Sequence, residues 1–461
     1  MALKNSKIWL LTLTYSLLIA LTACDGDTKS QVDNTPPSIT LLGDANLTIT
    51  QNTLFTDFGA TATDNIDGTL NVTTSGTVDN QILGEYVITY SVTDSAGNTA
   101  SIKRIITVAP DTTAPIITIV GETTFELYLG ELYIEAGASA VDEVDGEVSV
   151  SISGAVESDA IGSSTITYSA VDLKGNSAVL TRIVNVVADP TRQLLASIDF
   201  PDASLKQCVD DNNNNYFYAD EFLTLNCSYY GIDNLIGLSY FYNLNHLNIF
   251  GNLQSDLTLV SNLSQLTFLN AGYNQLTDIS FLSSLVNLQT LYLANNSIGD
   301  IEALNDLTQL VDMDLNENNG IEDISSIAKM VKLEKLQLNR NRIRDVSPLA
   351  KLNQLKLLSL YSNNLVGIAE LADLTNLEVL NLSSNNITDV SSLAGLKEVV
   401  ELKLLNNDIN SGVDVLNTFD KLEIMYLNGN DNIPCPHLDL LREAYEEGVI
   451  SMPEKCADIK E

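Results

Sequence analysis

Residues 355–365 read LKLLSLYSNNL, with leucine at the first, fourth, sixth and eleventh positions and asparagine at the ninth. The spacing recurs ten times between Phe222 and about Asn430, in units of 22 or 23 residues. The fourth position is always leucine or methionine: Leu225, Leu247, Leu269, Leu291, Met313, Leu336, Leu358, Leu380, Leu402 and Met425. The ninth is asparagine in every unit except the first, which has Tyr230. Because so short a unit cannot bury its own apolar face, the units are expected to stack into a solenoid.

Each unit predicts one short strand and a tight return. Apolar residues at positions four and six, separated by one residue, indicate a strand with one buried face. The asparagine amide is expected to satisfy backbone groups where the chain turns inward. The remaining residues leave room for a 3₁₀ turn but not for a long helix. Ten parallel strands spaced by roughly 4.8 Å would form a concave sheet about 45 Å long.

The pattern LxxLxLxxNxL resembles the leucine-rich repeat family. The period of 22 residues and returns such as residues 345–350 (DVSPLA) are similar to the bacterial internalin subclass. The resemblance implies that the concave sheet binds a ligand, through side chains at positions five, seven and eight. The candidate ligand-binding residues are Phe250, Tyr273, Tyr292, Asp314, Glu317, Gln337, Arg340, Tyr361 and Tyr426.

Aromatic residues on neighbouring units are the strongest binding candidates. Phe250, Tyr273 and Tyr292 lie on successive predicted strands and are expected to form an aromatic strip, while Arg340 and Tyr361 lie on adjacent strands. Exposed aromatic and arginine side chains often dominate the energetics of protein interfaces. The alternative is that single aromatics brace the sheet and bind nothing. For the carboxylates Asp314 and Glu317, a solvated acidic face is the favoured interpretation.

A second repeat precedes the solenoid. From about Thr35 to Val187 the chain matches itself at an offset of 78, as in Asp64 with Asp142 and Tyr90 with Tyr168. Short β-branched runs between turn signals predict two β-sandwiches. Patterns such as residues 59–68 (GATATDNIDG) resemble the Ig-like domains found in tandem on bacterial surface proteins, which implies a stalk.

Aspartates recur in both sandwiches. Asp64, Asp67 and Asp94, and their equivalents 78 residues later, sit in Asp-Gly and Gly-Asn contexts that build turns. Turn formation is the favoured interpretation, and calcium binding is the alternative. A second calcium candidate has oxygen-bearing residues at the spacing of an EF-hand loop: Asp210, Asn212, Asn214, Tyr216 and Glu221. A polar connecting loop is favoured there, so no cofactor is assigned.

The chain begins like a secreted lipoprotein. Lys4 and Lys7 precede an apolar run that ends in Leu21-Thr22-Ala23-Cys24. This segment is too short to predict a membrane span convincingly and predicts a signal peptide. Its end resembles the bacterial lipobox, which implies that Cys24 is lipidated and anchors the chain to a membrane. An unmodified Cys24 after an ordinary signal peptide is the alternative, and Asp25 leaves inner-membrane retention open.

The other four cysteines are expected to staple the solenoid ends. A short helix before the first unit would bring Cys208 against Cys227, and Cys435 and Cys456 flank the last unit and a second helix. We therefore predict the disulfides Cys208–Cys227 and Cys435–Cys456.

The composition favours binding over catalysis. A net charge of −37 argues against nucleic-acid binding. Only two histidines occur, His246 and His437, and no HExxH, P-loop or GxGxxG motif is present. The sequence therefore predicts a non-enzymatic protein of the bacterial cell envelope that binds a protein ligand, with a glycan-binding module or a periplasmic scaffold as alternatives.

The predicted fold class is two all-β Ig-like sandwiches followed by a capped leucine-rich repeat solenoid. The expected boundaries are a signal peptide at 1–23, a tether at 24–34, Ig-like domains at 35–110 and 111–188, a linker at 189–196, an N-terminal cap at 197–221, ten repeats at 222–432 and a C-terminal cap at 433–461.

Overall fold

The structure is a computed structural model that describes residues 32–453. The predicted signal peptide, Cys24, most of the tether and Cys456 lie outside the described residues. Within residues 32–453, no helix is long and apolar enough to cross a membrane. The described residues divide into two compact units: residues 32–125, 134–156 and 164–184, and residues 126–133, 157–163 and 185–453.

Each predicted sandwich consists of two sheets. In the first, the strand orders are β1-β3-β4 and β2-β7-β6-β5, with β2 parallel to β7. In the second, the orders are β8-β10-β11 and β9-β14-β13-β12. The strands are β1 (Ser38–Leu41), β2 (Asn46–Thr50), β3 (Ala60–Asp64), β4 (Gly68–Leu70), β5 (Thr73–Ser75), β6 (Gly84–Thr93), β7 (Thr99–Ala109), β8 (Ile116–Ile119), β9 (Thr124–Tyr128), β10 (Ala138–Asp142), β11 (Gly146–Val148), β12 (Val150–Ser153), β13 (Gly162–Val171) and β14 (Ser177–Val187).

A buried arginine organises the first sandwich, which contains no cysteine. Arg104 is fully buried beside Tyr90 and donates hydrogen bonds to the carbonyl oxygen of Asp44, at 3.0 Å, and to the carboxylate of Asp57. In the second sandwich, Arg182 likewise pairs with Glu135 at 3.0 Å. A buried charge is tolerated only when it is paired and hydrogen-bonded, and each guanidinium meets that condition.

The solenoid has one parallel sheet of eleven strands, and its register advances by one repeat per strand. Ten strands come from the ten predicted repeats, and the eleventh comes from the segment after them. The strands are β15 (Thr224–Asn226), β16 (His246–Asn248), β17 (Phe268–Asn270), β18 (Thr290–Tyr292), β19 (Asp312–Asp314), β20 (Lys335–Gln337), β21 (Leu357–Ser359), β22 (Val379–Asn381), β23 (Glu401–Lys403), β24 (Ile424–Tyr426) and β25 (Ile450–Ser451).

The returns between strands are 3₁₀ turns, as the repeat length predicts. They alternate with the strands and enclose one continuous leucine-rich core. The 3₁₀ segments between strands are Leu238–Tyr240, Thr258–Asn262, Ser280–Ser284, Glu302–Leu304, Ser325–Lys329, Ser347–Leu349, Ala369–Leu371, Ser391–Gly395 and Val413–Thr418. Two further 3₁₀ segments, Leu195–Ser197 and Ala219–Glu221, precede the first strand of the solenoid.

The ninth-position asparagines form a hydrogen-bonded ladder inside the solenoid. The amide of Asn363 donates to the carbonyl oxygen of Leu360 in its own repeat, at 3.0 Å, and to that of Leu338 in the preceding repeat, at 2.9 Å. Its Oδ1 accepts the N–H of Ile343 at 3.0 Å. The predicted role of this asparagine column is therefore confirmed.

One rung of the ladder is incomplete. Asn341 donates to Leu315 and Leu338, but its buried Oδ1 has no hydrogen-bond partner. The preceding repeat is one residue longer than the repeats before it and carries Asn319 at a φ of 60° just after the turn. We attribute the missing hydrogen bond to this insertion, because it displaces the N–H that fills the acceptor in neighbouring repeats.

Helices close both ends of the solenoid. Helix α1 (Ala203–Asp211) begins at Asp202, whose carboxylate accepts two backbone N–H groups. The predicted Cys208–Cys227 disulfide is present, with a Cα–Cα distance of 5.4 Å. Helix α2 (Cys435–Ala444) buries Leu438 and Leu441. The second predicted disulfide stays a prediction, because Cys456 lies outside the described residues.

Side chains of the EF-hand-like loop contact the protein itself. Asp210 pairs with Lys206 at 2.6 Å, and Glu221 accepts the N–H groups of Phe217 and Tyr218. Asn212 pairs with both backbone groups of Asn226, at the outer edge of β15, at 3.1 and 3.3 Å. These contacts agree with the favoured interpretation of a polar connecting loop.

The ladder makes a testable prediction about stability. Asn363→Ala should lower the free energy of unfolding by about 3 kcal/mol, because it leaves buried backbone groups unpaired. Asn341→Ala should cost less, since its Oδ1 has no partner to lose. Urea unfolding of both variants measures the difference, and equal losses would contradict this account.

Candidate ligand-binding face

Every repeat presents the same arrangement of side chains on its strand. The central residue, such as Leu247 or Met313, is fully buried. Its two neighbours, at positions three and five, are half-buried in most strands and point to the opposite face. The concave face is therefore lined by position three as well as by the predicted positions five, seven and eight.

Position eight has a special backbone conformation. Its residues have a positive φ in every repeat, including 53° for Tyr273, 57° for Glu317 and 53° for Arg340. Asparagine and glycine adopt this left-handed region most readily, whereas other residues are strained in it. Position eight therefore lies beyond the strand, where the chain turns toward the asparagine. Its side chain does not follow the alternation of strand residues between the two faces of the sheet.

The first group of aromatic rings follows positions seven and eight. Phe250 packs against Tyr273 with ring centroids 4.9 Å apart, and against Tyr229 at 5.2 Å. Tyr229 and Tyr273 remain 74% and 54% exposed, so much of their surface is available to a partner.

A second group follows positions three and five. The ring of His246 stacks on that of Phe268 at 3.9 Å, and Phe268 meets Tyr292 edge-on at 5.7 Å. Burial lowers the pKa of His246, which favours the neutral ring. The single strip expected through Phe250, Tyr273 and Tyr292 is therefore two groups, because Tyr292 lies on its strand and packs against Phe268, whereas Tyr273 lies beyond its own strand.

Carboxylates adjoin the second aromatic group. The Tyr292 hydroxyl donates to Asp312 at 3.0 Å, and burial together with the charge of Asp312 raises the pKa of Tyr292 to about 12. Asp314, on the same strand as Asp312, is half-buried. Burial, followed by the charges of Asp312 and Glu317, raises the pKa of the Asp314 carboxyl. Asp314 is therefore less solvated than a fully exposed carboxylate, and the interpretation of this pair as a solvated acidic face stays a prediction.

Cations lie beside these carboxylates. Lys335 is 3.7 Å from Asp312, and Arg340 is 3.5 Å from Glu317. Arg340 also lies over the ring of Tyr361, 5.8 Å from its centroid, so the two predicted neighbours are in contact. In both ion pairs the cationic side chain is more than half exposed to solvent. Because water screens exposed charges, these pairs contribute little to the free energy of unfolding.

The remaining predicted residues lie farther along the sheet. Gln337, on β20, lies 3.5 Å from the amide of Asn316. Tyr426, on β24, is half-buried and pairs in register with Lys403 and with Ser451 of the last strand. The aromatic–acidic patch is defined here as Phe250, Tyr273, His246, Phe268, Tyr292, Asp312 and Asp314. Gln337 and Tyr426 lie outside this patch.

The sequence-based prediction missed the residues at position three. His246, Phe268 and Asp312 supply much of the aromatic–acidic patch, but the prediction applied the strand alternation only forward from position four. The signal was present, because side chains two residues apart on a strand share a face. Extending the period of two backward would have found all three residues.

Two aspartate groups in the sandwiches have carboxylate oxygens within 4.8 Å of one another. They are Asp33, Asp64 and Asp94, and Asp111, Asp142 and Asp145. Several of these side chains also build turns, as predicted, since Asp64 accepts the N–H groups of Ile66 and Asp67.

Asp314→Asn should stabilise the chain at pH 7. Because the folded-state pKa is raised, the native state holds this proton more tightly, and stability falls as the pH rises above the ordinary value of 3.8. The amide removes this loss and can still accept the N–H of Asn316. Thermal unfolding between pH 3 and 8 should show that the gain in midpoint temperature of Asp314→Asn over the native chain grows with pH. The exposed control Glu322→Gln should show no such gain. A difference between Asp314→Asn and the native chain that does not change with pH would contradict the assignment.

Comparisons with known families agree with this architecture. The family described as Bacterial surface protein, Ig-like domain, matches residues 39–108 and 117–186. The family described as Leucine Rich repeats (2 copies) matches residues 264–306, 286–329, 308–351 and 353–395.

Individual proteins are also similar to the chain. An internalin (inlF) from Listeria monocytogenes is 26% identical, over 57% of this chain and 97% of that one, with a TM-score of 0.43. Internalin C2 from the same species is 28% identical, over 51% and 96%, with a TM-score of 0.40. An uncharacterized 81.3 kDa protein of Acholeplasma phage L2 is 32% identical over 123 residues, and the match spans 16% of its length. The chain therefore contains two Ig-like domains of the bacterial surface type and a leucine-rich repeat array.

Proposed function

We propose that this chain is a non-enzymatic binding protein of the bacterial cell envelope, anchored through lipidated Cys24, which recognises a protein ligand with its concave sheet. The observation that carries the proposal is the aromatic–acidic patch. It combines the exposed ring of Tyr273 and several half-buried rings with a carboxylate whose raised pKa reflects burial beside like charges.

The patch supplies both parts of a protein-binding surface. Tyr273 offers a ring that is 54% exposed and supported from one side by Phe250. Such rigid aromatic side chains are frequent energetic anchors of interfaces. Asp312 and Asp314 lie close together, so a cationic group from a partner would relieve their repulsion. The ligand that fits is a protein segment with an apolar or aromatic group beside a lysine or arginine.

A glycan ligand receives less support from the same geometry. Sugars stack on open ring faces, but one face of His246 is covered by Phe268 at an interplanar angle of 4°. Phe250 has rings packed against it from two neighbouring repeats. We therefore favour the protein ligand and keep the glycan as an outcome of the binding test.

Tyr273→Asn is the most direct test of the face. Asparagine tolerates the left-handed φ of 53°, so the ring is removed with little backbone cost. After a ligand has been captured from envelope or secreted proteins and purified, the variant should bind it at least about tenfold more weakly, as expected for an interface anchor.

The matched control is Tyr240→Asn, which removes a similarly exposed tyrosine from a return segment. It should change the Kd less than about twofold, as expected for a residue outside the interface. Equal binding by both variants would overturn the assignment to this face. Capture on a glycan array without any protein ligand would favour the carbohydrate alternative.

The proposed anchor predicts a change of compartment. Cys24→Ser should move the chain from the membrane fraction to the soluble fraction, because the acyl chains supply the membrane affinity. Detergent phase partitioning of cell fractions measures this, and unchanged partitioning would refute lipidation. Protease shaving of intact cells then distinguishes surface display from a periplasmic scaffold, which would be cleaved only after the outer membrane is breached.

A further inference from the structure

The second sandwich contains two buried carboxylates with an unused oxygen each. Asp111 is 4% exposed and Asp142 is 3% exposed. The Oδ2 atoms of both are buried and have no hydrogen-bond partner. Their carboxylate groups and that of Asp145 supply oxygens within 4.8 Å of one another. Buried, unpaired and like-charged oxygens are costly unless a cation or a proton lies among them.

The other oxygen of each carboxylate fixes its orientation. Asp142 Oδ1 accepts the N–H groups of Val144 and Asp145, at 2.8 and 3.0 Å. Asp111 Oδ1 accepts the N–H of Thr113 at 3.0 Å and its hydroxyl at 2.6 Å. The turn role predicted from the sequence therefore uses one oxygen of each side chain and leaves the other buried and without a partner.

Asp172 does not share this feature. Its Oδ1 accepts the N–H groups of Lys174 and Asn176, and its Oδ2 accepts the amide of Asn176 at 2.7 Å. Within the described chain, the unused buried oxygens in this domain are those of Asp111 and Asp142. The distinction argues that their lack of partners is specific to the cluster and not a general property of these acidic loops.

The first sandwich repeats the arrangement at the same offset of 78. Asp33 and Asp64 also have buried Oδ2 atoms without partners, and their oxygens lie near that of Asp94. The two clusters differ in their third member, which is Asp94 in the first sandwich and Asp145, the equivalent of Asp67, in the second. Ser95 donates its hydroxyl and its N–H to Asp67, whereas Leu173, which replaces Ser95, donates only its N–H to Asp145. Asp145 is thus freer to join its cluster than Asp67.

We propose that each sandwich binds one calcium ion, with Asp111, Asp142 and Asp145 as carboxylate ligands in the second domain. Calcium is the cation that fits, because it takes several carboxylate oxygens in flexible geometry. The cluster contains carboxylates and no histidine or cysteine, which would favour a transition metal. In the first domain the equivalent ligands are Asp33 and Asp64. The third carboxylate near them, Asp94, has both oxygens hydrogen-bonded within its own turn, as Asp172 has.

The position of Asp111 gives the site a mechanical role. It lies in the segment between β7, which ends at Ala109, and β8, which begins at Ile116. Asp142 is the last residue of β10, and Asp145 lies in the turn that leads to β11 of the second domain. A bound ion would therefore link the segment that connects the two sandwiches to the second sandwich. Calcium would in this way restrict the motion of residues 110–115. The proposal is independent of the concave face.

Calcium titration of the whole chain, after chelation, is the first test. Calorimetry in about 0.15 M salt, which screens diffuse attraction to the acidic surface, should show saturable binding of two ions. Saturating calcium should raise the unfolding midpoint of the sandwiches by at least about 10 °C. Hydrogen exchange in residues 110–116 and 142–148 should slow. Absence of saturable binding, or unchanged exchange there, would overturn the proposal.

Paired variants separate binding from turn formation. Asp142→Asn keeps an acceptor for the N–H groups of Val144 and Asp145, so it should remove one of the two ions. Without calcium it should be at least as stable as the native chain, and with calcium less stable. The control Glu143→Gln changes an exposed neighbour and should leave both ions bound. If Asp142→Asn retains both, or if Glu143→Gln loses one, the assigned ligands are wrong.

Discussion

The solenoid depends on satisfying backbone groups at the inner turn of every repeat. Repeats of 22 or 23 residues place carbonyl and N–H groups among leucines, where no water is available to pair with them. The asparagine at position nine joins two consecutive repeats by bonding the carbonyls of both, as Asn385 does with Leu360 and Leu382. Neighbouring repeats are therefore stabilised by shared hydrogen bonds as well as by shared apolar surface.

Much of the fold could be predicted because every repeat buries the same strand positions and pairs the same backbone groups. The leucine spacing determines which strand residues are buried, and the parallel register follows from stacking equal units. The eleventh strand could not be predicted this way, because Ile450 and Ser451 lack the repeat pattern and pair only through their place beside β24. The unpaired Oδ1 of Asn341 could not be predicted from the sequence either, because it depends on how one inserted residue changes the path of a turn.

The sites were less predictable than the fold for a related reason. Exposed residues at positions five, seven and eight could be identified from the period, but their contacts depend on side-chain direction at each position. Phe268 joins His246 to Tyr292, and this connection requires the geometry of three strands. Asp33 and Asp111 lie outside the turn motifs that contain Asp64 and Asp142. Only the folded chain places Asp33 near Asp64 and Asp111 near Asp142.

The two ends of the solenoid sheet also have a consequence for assembly. Asn212 pairs with the backbone of Asn226 as an adjacent strand would, and the two-residue β25 lies beyond the last repeat. Open sheet edges are templates on which another copy can add, which leads to fibres. Because the first edge is occupied and the last strand is short, the ends of this sheet offer few free backbone groups on which a strand of another copy could add.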